Sequence, residues 1–169
     1  MLRIDYCTKE LKLEDKNIKI KIWDTAGQEQ YKSIPNNYLK RSDGILVVYD
    51  VTNDNSFDSI SWWMKKINEN IDNNKNVKII LIGNKIDLIN DRKITQEDGQ
   101  KVANTYNIKY FETSAKDDTG IKEAIRTIIN DILENKKDEN IQEPNNNDIK
   151  LFVNKENNEN KNDKHNYCC

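Results

Sequence analysis

Two short runs of uninterrupted apolar residues constrain the fold more than any other feature of the chain. They are Ile45–Tyr49 and Ile79–Ile82, both rich in branched side chains. A strand that is apolar at every position has both faces covered, which is typical of parallel strands between helical layers. Apolar residues at helical spacing follow each run: Phe57, Ile60, Trp63, Met64, Ile67 and Ile71 after the first, and Val102, Ala103 and Tyr106 after the second. This order predicts an α/β fold with an open, mostly parallel sheet and right-handed crossovers.

Short sequence patterns also predict the other strands and helices of the domain. Residues 4–24 alternate apolar and polar side chains around the polar turn Glu14–Asn17, which predicts an antiparallel hairpin with one buried face. Thr95 with Asp98 three residues later resembles a capping box at the start of a helix. A short strand over Lys109–Glu112 and a helical repeat over Ile121–Leu133 complete the pattern.

The composition changes near Lys136. Asn, Lys, Glu and Asp dominate from there onward, apart from one apolar island at Ile149–Val153. Such a segment buries too little surface to offset its chain entropy, so we expect one folded domain over 1–135 and a disordered tail over 136–169. The formal net charge of -2 gives no electrostatic reason for a nucleic-acid partner. No apolar run approaches the ~18 residues that cross a bilayer, and we expect a cytosolic protein.

A polar motif follows the second apolar strand. Asn84, Lys85 and Asp87 fall at the carboxyl edge of the predicted sheet, where ligands of open α/β sheets bind. The Asp87 carboxylate can accept hydrogen bonds from N1–H and the 2-amino group of guanine, donors that adenine lacks. By itself this motif also fits an ordinary turn. Ser114–Lys116 follows the next strand and adds groups at the same edge, which favours a guanine site.

A second polar string, Trp23–Glu29, ends the predicted hairpin. Asp24 is placed to hold Mg²⁺ through water, Gly27 lets backbone N–H groups approach a terminal phosphate, and Gln28 follows beside that phosphate. In isolation the string also fits a plain turn after a strand. The phosphate loop Gly-x-x-x-x-Gly-Lys-Ser/Thr does not occur in the 169 residues.

These motifs together make the chain similar to the Rab family of small GTPases. Trp23–Glu29, Val48–Thr52, Gly83–Asp87 and Glu112–Lys116 match the family in order and spacing, and the chain ends in Cys-Cys. The resemblance covers residues 1 to about 135 and implies the fold of the P-loop GTPases. It implies a GTP/GDP switch in vesicle-mediated membrane traffic that hydrolyses GTP. The alternative is a non-hydrolysing Rab-like fragment that acts as a partner-binding module.

The resemblance also implies a role for each matching residue. Gln28 would orient the attacking water, and Asp24 would be the acid linked to Mg²⁺. The residues that would hold the guanine base are Asn84, Lys85, Asp87, Ser114, Ala115 and Lys116. The aromatic triad that would display the nucleotide state to effectors is Tyr6, Trp23 and Tyr38, for which core packing is the alternative.

The implied partners are guanine nucleotide, an exchange factor, an activating protein, effectors, a prenylation escort and a GDP-dissociation inhibitor. Geranylgeranyl groups on Cys168 and Cys169 would anchor the protein to the cytoplasmic face of Golgi, vesicle and plasma membranes. One lipid chain binds marginally and two bind stably. Residues 136–169 hold six Lys and seven Asp or Glu, so they add no polybasic patch. The alternatives for the two cysteines are a chance pair, a cloning remnant or half of a metal site.

Two further expectations concern the ends of the chain. Ile149–Leu151 lies where Rabs have a short apolar motif that docks on the escort protein, and a stray apolar cluster is the alternative. The family sheet has a central strand between the strands that correspond here to Ile18–Asp24 and Ile45–Asp50, and the resemblance implies that the given sequence lacks it. Unpaired backbone groups at that gap would cost about 1–3 kcal/mol each if buried. We therefore expect the chain to be truncated at its N-terminus and, as written, to bind GTP poorly.

Overall fold

The computed structural model of the protein describes residues 5–13, 16–26, 36–72, 75–138 and 148–155. Within these ranges, the residues known by their backbone alone are Asp5, Tyr6, Leu13, Lys16, Asp24, Thr25, Ala26, Asn36, Asn37, Lys137, Asp138 and Lys155.

The described residues form one six-stranded sheet with the spatial order β1-β2-β6-β3-β4-β5. The strands are β1 (Asp5–Leu13), β2 (Lys16–Ala26), β3 (Gly44–Asp50), β4 (Lys78–Asn84), β5 (Lys109–Thr113) and β6 (Asp148–Lys155). The helices are α1 (Asn36–Arg41), α2 (Asp54–Asp58), α3 (Ile60–Asn70), α4 (Gln96–Thr105) and α5 (Ile121–Asp138). This arrangement of strands and helices confirms the predicted mixed α/β fold.

None of the helices in the described ranges is long and apolar enough to cross a membrane.

The sheet combines one antiparallel pair with parallel neighbours, as the apolar patterns predicted. β1 and β2 pair antiparallel from Asp5↔Asp24 to Leu13↔Lys16, and Ile18 and Ile20 on β2 are buried. β3 pairs in parallel with β4 along its whole length, and β4 pairs in parallel with β5. Alternation on the hairpin and continuous apolar runs at the centre therefore correspond to one-sided and two-sided burial.

Two apolar cores cover the two faces of the sheet. The first includes Trp63, Met64 and Ile67 of α3 together with Ala103 of α4. The second is built on α5. Its helical members are Ala124, Ile128, Ile129 and Ile132. The helical repeat predicted from Phe57 to Ile71 is divided at Ser59, where α2 ends and α3 begins.

The structure differs from expectation in the region predicted to be a disordered tail. Helix α5 continues to Asp138, and residues 148–155 form β6, which pairs in parallel with both β2 and β3. β6 occupies the central position at which we expected a gap. Residues 139–147 and 156–169 lie outside the described residues, so for these two segments the predicted disorder of the tail stays a prediction.

The burial of β6 explains the difference. Ile149 and Leu151 contribute to the core on the α5 face, and Phe152 contributes to the opposite core. Ladders on both sides satisfy the backbone, with Ile22↔Leu151 on one side and Gly44↔Leu151 on the other. Four apolar residues among the five of Ile149–Val153 are too few to change the average composition of the tail, yet they are sufficient for a strand with two covered faces. Closing a connection of moderate length costs little chain entropy.

Candidate nucleotide site

Five parallel strands end at one edge of the sheet, and four of them bring the predicted polar motifs together. Asp50, at the end of β3, is in register with Asn84 at the end of β4, and Asn84 is in register with Thr113 at the end of β5. Asp24 lies near the end of β2, opposite Val153 of β6. The carboxyl ends of parallel strands are the usual ligand edge of such a sheet.

Asn84 connects the loop after β4 with the loop after β5. Its Oδ1 accepts a hydrogen bond from Thr113 Oγ1 at 3.1 Å and another from the backbone N–H of Ala115 at 3.2 Å. The Ile86 N–H in turn donates to the Thr113 carbonyl at 3.2 Å. The two predicted guanine motifs are therefore held against each other by direct contacts.

Asp87 is oriented from the second loop. Ser114, which is buried, donates from its hydroxyl to Asp87 Oδ1 at 2.7 Å. Lys116 Nζ lies 3.9 Å from Asp87 Oδ2, and the Asp87 side chain is only 9% exposed. An ionised carboxylate has about four acceptor sites. Ser114 therefore fixes the carboxylate and leaves acceptor capacity for a ligand with two donors.

Lys85 has an unusual backbone and a specific charged partner. Its φ is 69°, in the left-handed region that residues other than glycine rarely adopt. Its Nζ lies 2.7 Å from Asp50 Oδ2, and the Asp50 side chain is 8% exposed. Burial acts to raise the pKa of Asp50, but hydrogen bonds from Lys85 and Thr52 outweigh it and hold the pKa below the usual value. Asp50 is therefore an ionised, buried partner of the motif lysine.

Two features near the site were not predicted from the sequence: Asp50, and a partly buried network of Arg92, Glu112 and Tyr110. Asp50 belongs to the Val48–Thr52 string, and a carboxylate that ends an apolar strand was a usable signal. In the network, Arg92 donates through both terminal nitrogens to the two carboxylate oxygens of Glu112, at 2.7 and 2.9 Å. Tyr110 donates to Glu112 Oε1 at 3.0 Å. This network lies directly before Thr113 and braces the strand that leads into Ser114–Lys116.

Two of the three predicted effector-facing aromatics are in contact. The rings of Trp23 and Tyr38 meet edge to face with centroids 5.9 Å apart, and both pack partly buried against the core on the α3 face. Tyr6 is directly opposite Trp23 in the β1–β2 register, and only its backbone is described. Tyr6 and Trp23 thus lie near one end of the hairpin, where Tyr38 of α1 contacts Trp23, and the role of the three residues with effectors stays a prediction.

The other predicted site residues are not described in full. Gly27, Gln28, Cys168 and Cys169 lie outside the described residues, and Asp24 is known by its backbone alone. Among the residues whose side chains the structure describes, no three His, Cys, Asp or Glu form a group that would hold a metal ion. Mg²⁺ in phosphate sites is usually held by one or two carboxylates together with phosphate oxygens and water. A single acid at position 24 is compatible with that arrangement.

Comparisons with known sequences identify the family of the chain. The sequence model of the Ras family matches residues 2–134. Rab-13 of Rattus norvegicus is 38% identical over 158 residues, an alignment that covers 92% of this chain and 77% of the relative. The chain belongs to the Ras family, in its Rab branch. The resemblance inferred from the motifs is thereby confirmed.

Other Rab relatives show a similar level of identity. Rab-8B of Pongo abelii is 42% identical over 130 residues, with 77% of this chain and 62% of the relative covered. The GTP-binding protein ypt3 of Schizosaccharomyces pombe is 39% identical over 130 residues, with 77% of this chain and 60% of the relative covered. This Rab-branch chain therefore spans about three fifths of the length of these two relatives.

Proposed function

We propose that the chain is a Rab-type guanine-nucleotide switch that acts in vesicle-mediated membrane traffic and hydrolyses GTP to GDP. The observation that carries this proposal is the orientation of Asp87 by Ser114, at the edge where five parallel strands end. A fixed carboxylate with spare acceptor capacity suits the two adjacent donors of guanine and leaves an adenine ring unmatched.

The remaining roles rest on membership of the Rab branch. Asn84 would join the two base-binding loops, Lys116 would flank the base, and Gln28 would orient the attacking water. Asp24 would hold Mg²⁺ through water, and the ion would neutralise charge on the phosphates. In-line transfer of the terminal phosphoryl group to water needs positioning and charge stabilisation more than covalent chemistry by the protein.

Membrane attachment and partners belong to the same proposal. Prenyl groups on Cys168 and Cys169 would hold the protein on the cytoplasmic face of secretory-pathway membranes, because two lipid chains give a stable anchor. Trp23 and Tyr38, together with Tyr6, would contribute to the surface that effectors read. An exchange factor, an activating protein, a prenylation escort and a GDP-dissociation inhibitor would complete the cycle.

Base specificity is the direct test. GTP, XTP and ATP affinities are measured by competition against a fluorescent guanine nucleotide, for the 169-residue chain and for its Asp87→Asn variant. XTP has a carbonyl in place of the 2-amino group, so the amide of the variant can donate to it where the carboxylate cannot. We expect the wild type to prefer GTP and Asp87→Asn to shift the preference toward XTP. Asp91→Asn, a nearby exposed acid, is the matched control and should leave the preference unchanged.

Two results would contradict the proposal. If the wild type shows no preference for GTP over XTP and ATP, the site does not select guanine. If Asp87→Asn remains folded and keeps the wild-type preference, Asp87 does not determine the base preference. Guanine binding without release of phosphate, even with an activating protein present, would instead favour the partner-binding module.

A further inference from the structure

We propose that Asp50 positions the guanine-binding loop by holding the ammonium group of Lys85. This inference rests on the proposed function and adds to it a residue outside the loop that carries the base motif. Asp50 ends β3, whereas Lys85 directly follows β4, so their contact joins two neighbouring loops at the ligand edge. Lys85 Nζ and Asp50 Oδ2 are 2.7 Å apart.

The two oxygens of Asp50 have separate tasks. Oδ1 accepts from the Thr52 backbone N–H at 2.8 Å and from the Thr52 hydroxyl at 2.7 Å, which shapes the turn after β3. Oδ2 is the oxygen that meets Lys85. The carboxylate therefore organises its own loop with one oxygen and the base loop with the other.

The loop after β4 has a physical need for such a contact. A left-handed φ of 69° is unfavourable for lysine, and a conformation of this kind persists only where the surroundings stabilise it. A lysine side chain also loses considerable rotamer freedom when it is held in one place. A buried carboxylate offers a strong, charge-assisted acceptor that compensates for both. Lys85 in this position keeps Asn84 and Asp87, on either side of it, in a fixed relative orientation.

The substitution Asp50→Asn separates the two tasks. An asparagine oxygen can still accept from Thr52, while its NH₂ group cannot accept from Lys85. The matched control is Asp54→Asn, which removes an acid four residues later whose partner is Lys93. That pair is 3.3 Å apart, and its side chains are 58% and 60% exposed. Exposed pairs of this type contribute little.

The first measurement needs no nucleotide. Amide hydrogen exchange is followed at Ile86, which donates to the Thr113 carbonyl, and at Leu88, which donates to the Lys85 carbonyl. If Asp50 holds the loop, both amides exchange faster in Asp50→Asn and at the wild-type rate in Asp54→Asn. Amides in the centre of β4 serve as internal reference for global unfolding. Equal exchange at Ile86 and Leu88 in wild type and Asp50→Asn overturns the proposal.

The second measurement tests positioning against a purely structural role. Affinities for GTP and ITP are compared, because ITP lacks the 2-amino group. We expect Asp50→Asn to weaken GTP binding by about 10- to 100-fold, the range for loss of a hydrogen bond to a charged group. ITP binding should fall less, so the GTP/ITP ratio decreases. An equal loss for both nucleotides shows general destabilisation and overturns the positioning role.

A second variant keeps the proposal testable if Asp50→Asn fails to fold. Lys85→Gln leaves both Thr52 hydrogen bonds to Asp50 in place and should also speed exchange at Ile86 and Leu88. The double variant should lose less than the sum of the losses of the two single variants, because both act through one contact, and full additivity contradicts that contact. If the wild type binds no guanine nucleotide, the proposed function fails, and the exchange rates decide by themselves whether Asp50 holds the loop.

Discussion

Asn154 of β6 pairs through its side chain with both backbone polar groups of Val48 in β3. Asn154 Oδ1 accepts from the Val48 N–H, and Asn154 Nδ2 donates to the Val48 carbonyl at 3.4 Å. The β3–β6 ladder ends at Val47↔Asn154, so the side chain extends the pairing by one residue beyond the backbone register. Asn154 is 1% exposed, and its polar atoms are therefore used inside the protein.

Replacing this side chain should destabilise the sheet. Asn154→Leu leaves the N–H and the carbonyl of Val48 without these partners, and an unsatisfied buried group costs about 1–3 kcal/mol. We expect the free energy of unfolding in urea to fall by at least that amount. Asn130→Leu, on the exposed side of α5, is the control and should change it by less than about 0.5 kcal/mol. Equal stability of the two variants would show that Asn154 does not secure β6.

Phe152 tests whether β6 is a required central strand. It is 0% exposed, and its ring centroid lies 6.4 Å from that of Trp63. Phe152→Ala removes core volume and should cost about 3–5 kcal/mol, a large part of a typical total stability. Trp fluorescence and chemical denaturation would report the loss. Ile89→Ala, at a 77% exposed apolar site, should be nearly neutral, and a similarly small effect at Phe152 would argue against β6 in the sheet.

The Arg92–Glu112 pair should contribute more than a surface pair. Both side chains are largely buried, and the hydrogen bonds from Arg92 are bidentate. Glu112→Gln should lower the free energy of unfolding by about 1.5–3 kcal/mol. Asp131→Asn, which breaks the more exposed pair with Lys109, should cost less than about 1 kcal/mol. Denaturation curves of both variants with the same slope decide the comparison, and the reverse order of effects would refute it.

Acid should remove the contribution of Asp50. Its pKa in the folded protein is below the usual value near 3.8, because hydrogen bonds from Lys85 and Thr52 outweigh the effect of burial. A lowered folded pKa gives a contribution that is complete above the unfolded pKa and is lost as pH falls through the folded pKa. Below about pH 4, wild-type stability should therefore decline more steeply than that of Asp50→Asn.

Denaturant titrations at several acidic pH values measure this difference. The pKa values of Asp98 and Asp148 are also lowered, by hydrogen bonds from Thr95 and Lys21 respectively, and both acids remain in the variant. The difference between the two proteins therefore isolates position 50. Parallel pH profiles would mean that Asp50 is not ionised and paired in the folded state.

The sequence by itself determined the parts of the fold that depend on neighbouring residues. Alternation predicted the β1–β2 hairpin, and continuous apolar runs predicted β3 and β4. Thr95 caps the N-terminus of α4 as predicted, with its Oγ1 accepting from the Asp98 N–H at 3.1 Å. The sequence also predicted that the polar motifs Asn84–Asp87 and Ser114–Lys116 lie at the ends of β4 and β5, because both are contiguous strings, and their role in binding guanine stays a prediction.

Only the tertiary structure decided which distant segments pair. β6 was missed because its apolar segment is short. The segment forms a strand only because it pairs between β2 and β3, which are more than a hundred residues away in the sequence. Lys85 meets Asp50 because the adjacent parallel strands β3 and β4 end at one edge. Arg92 meets Glu112 because β5, which contains Glu112, pairs beside β4. Local patterns report how a segment buries its own faces. Partners across a sheet depend on strand order, which no local pattern contains.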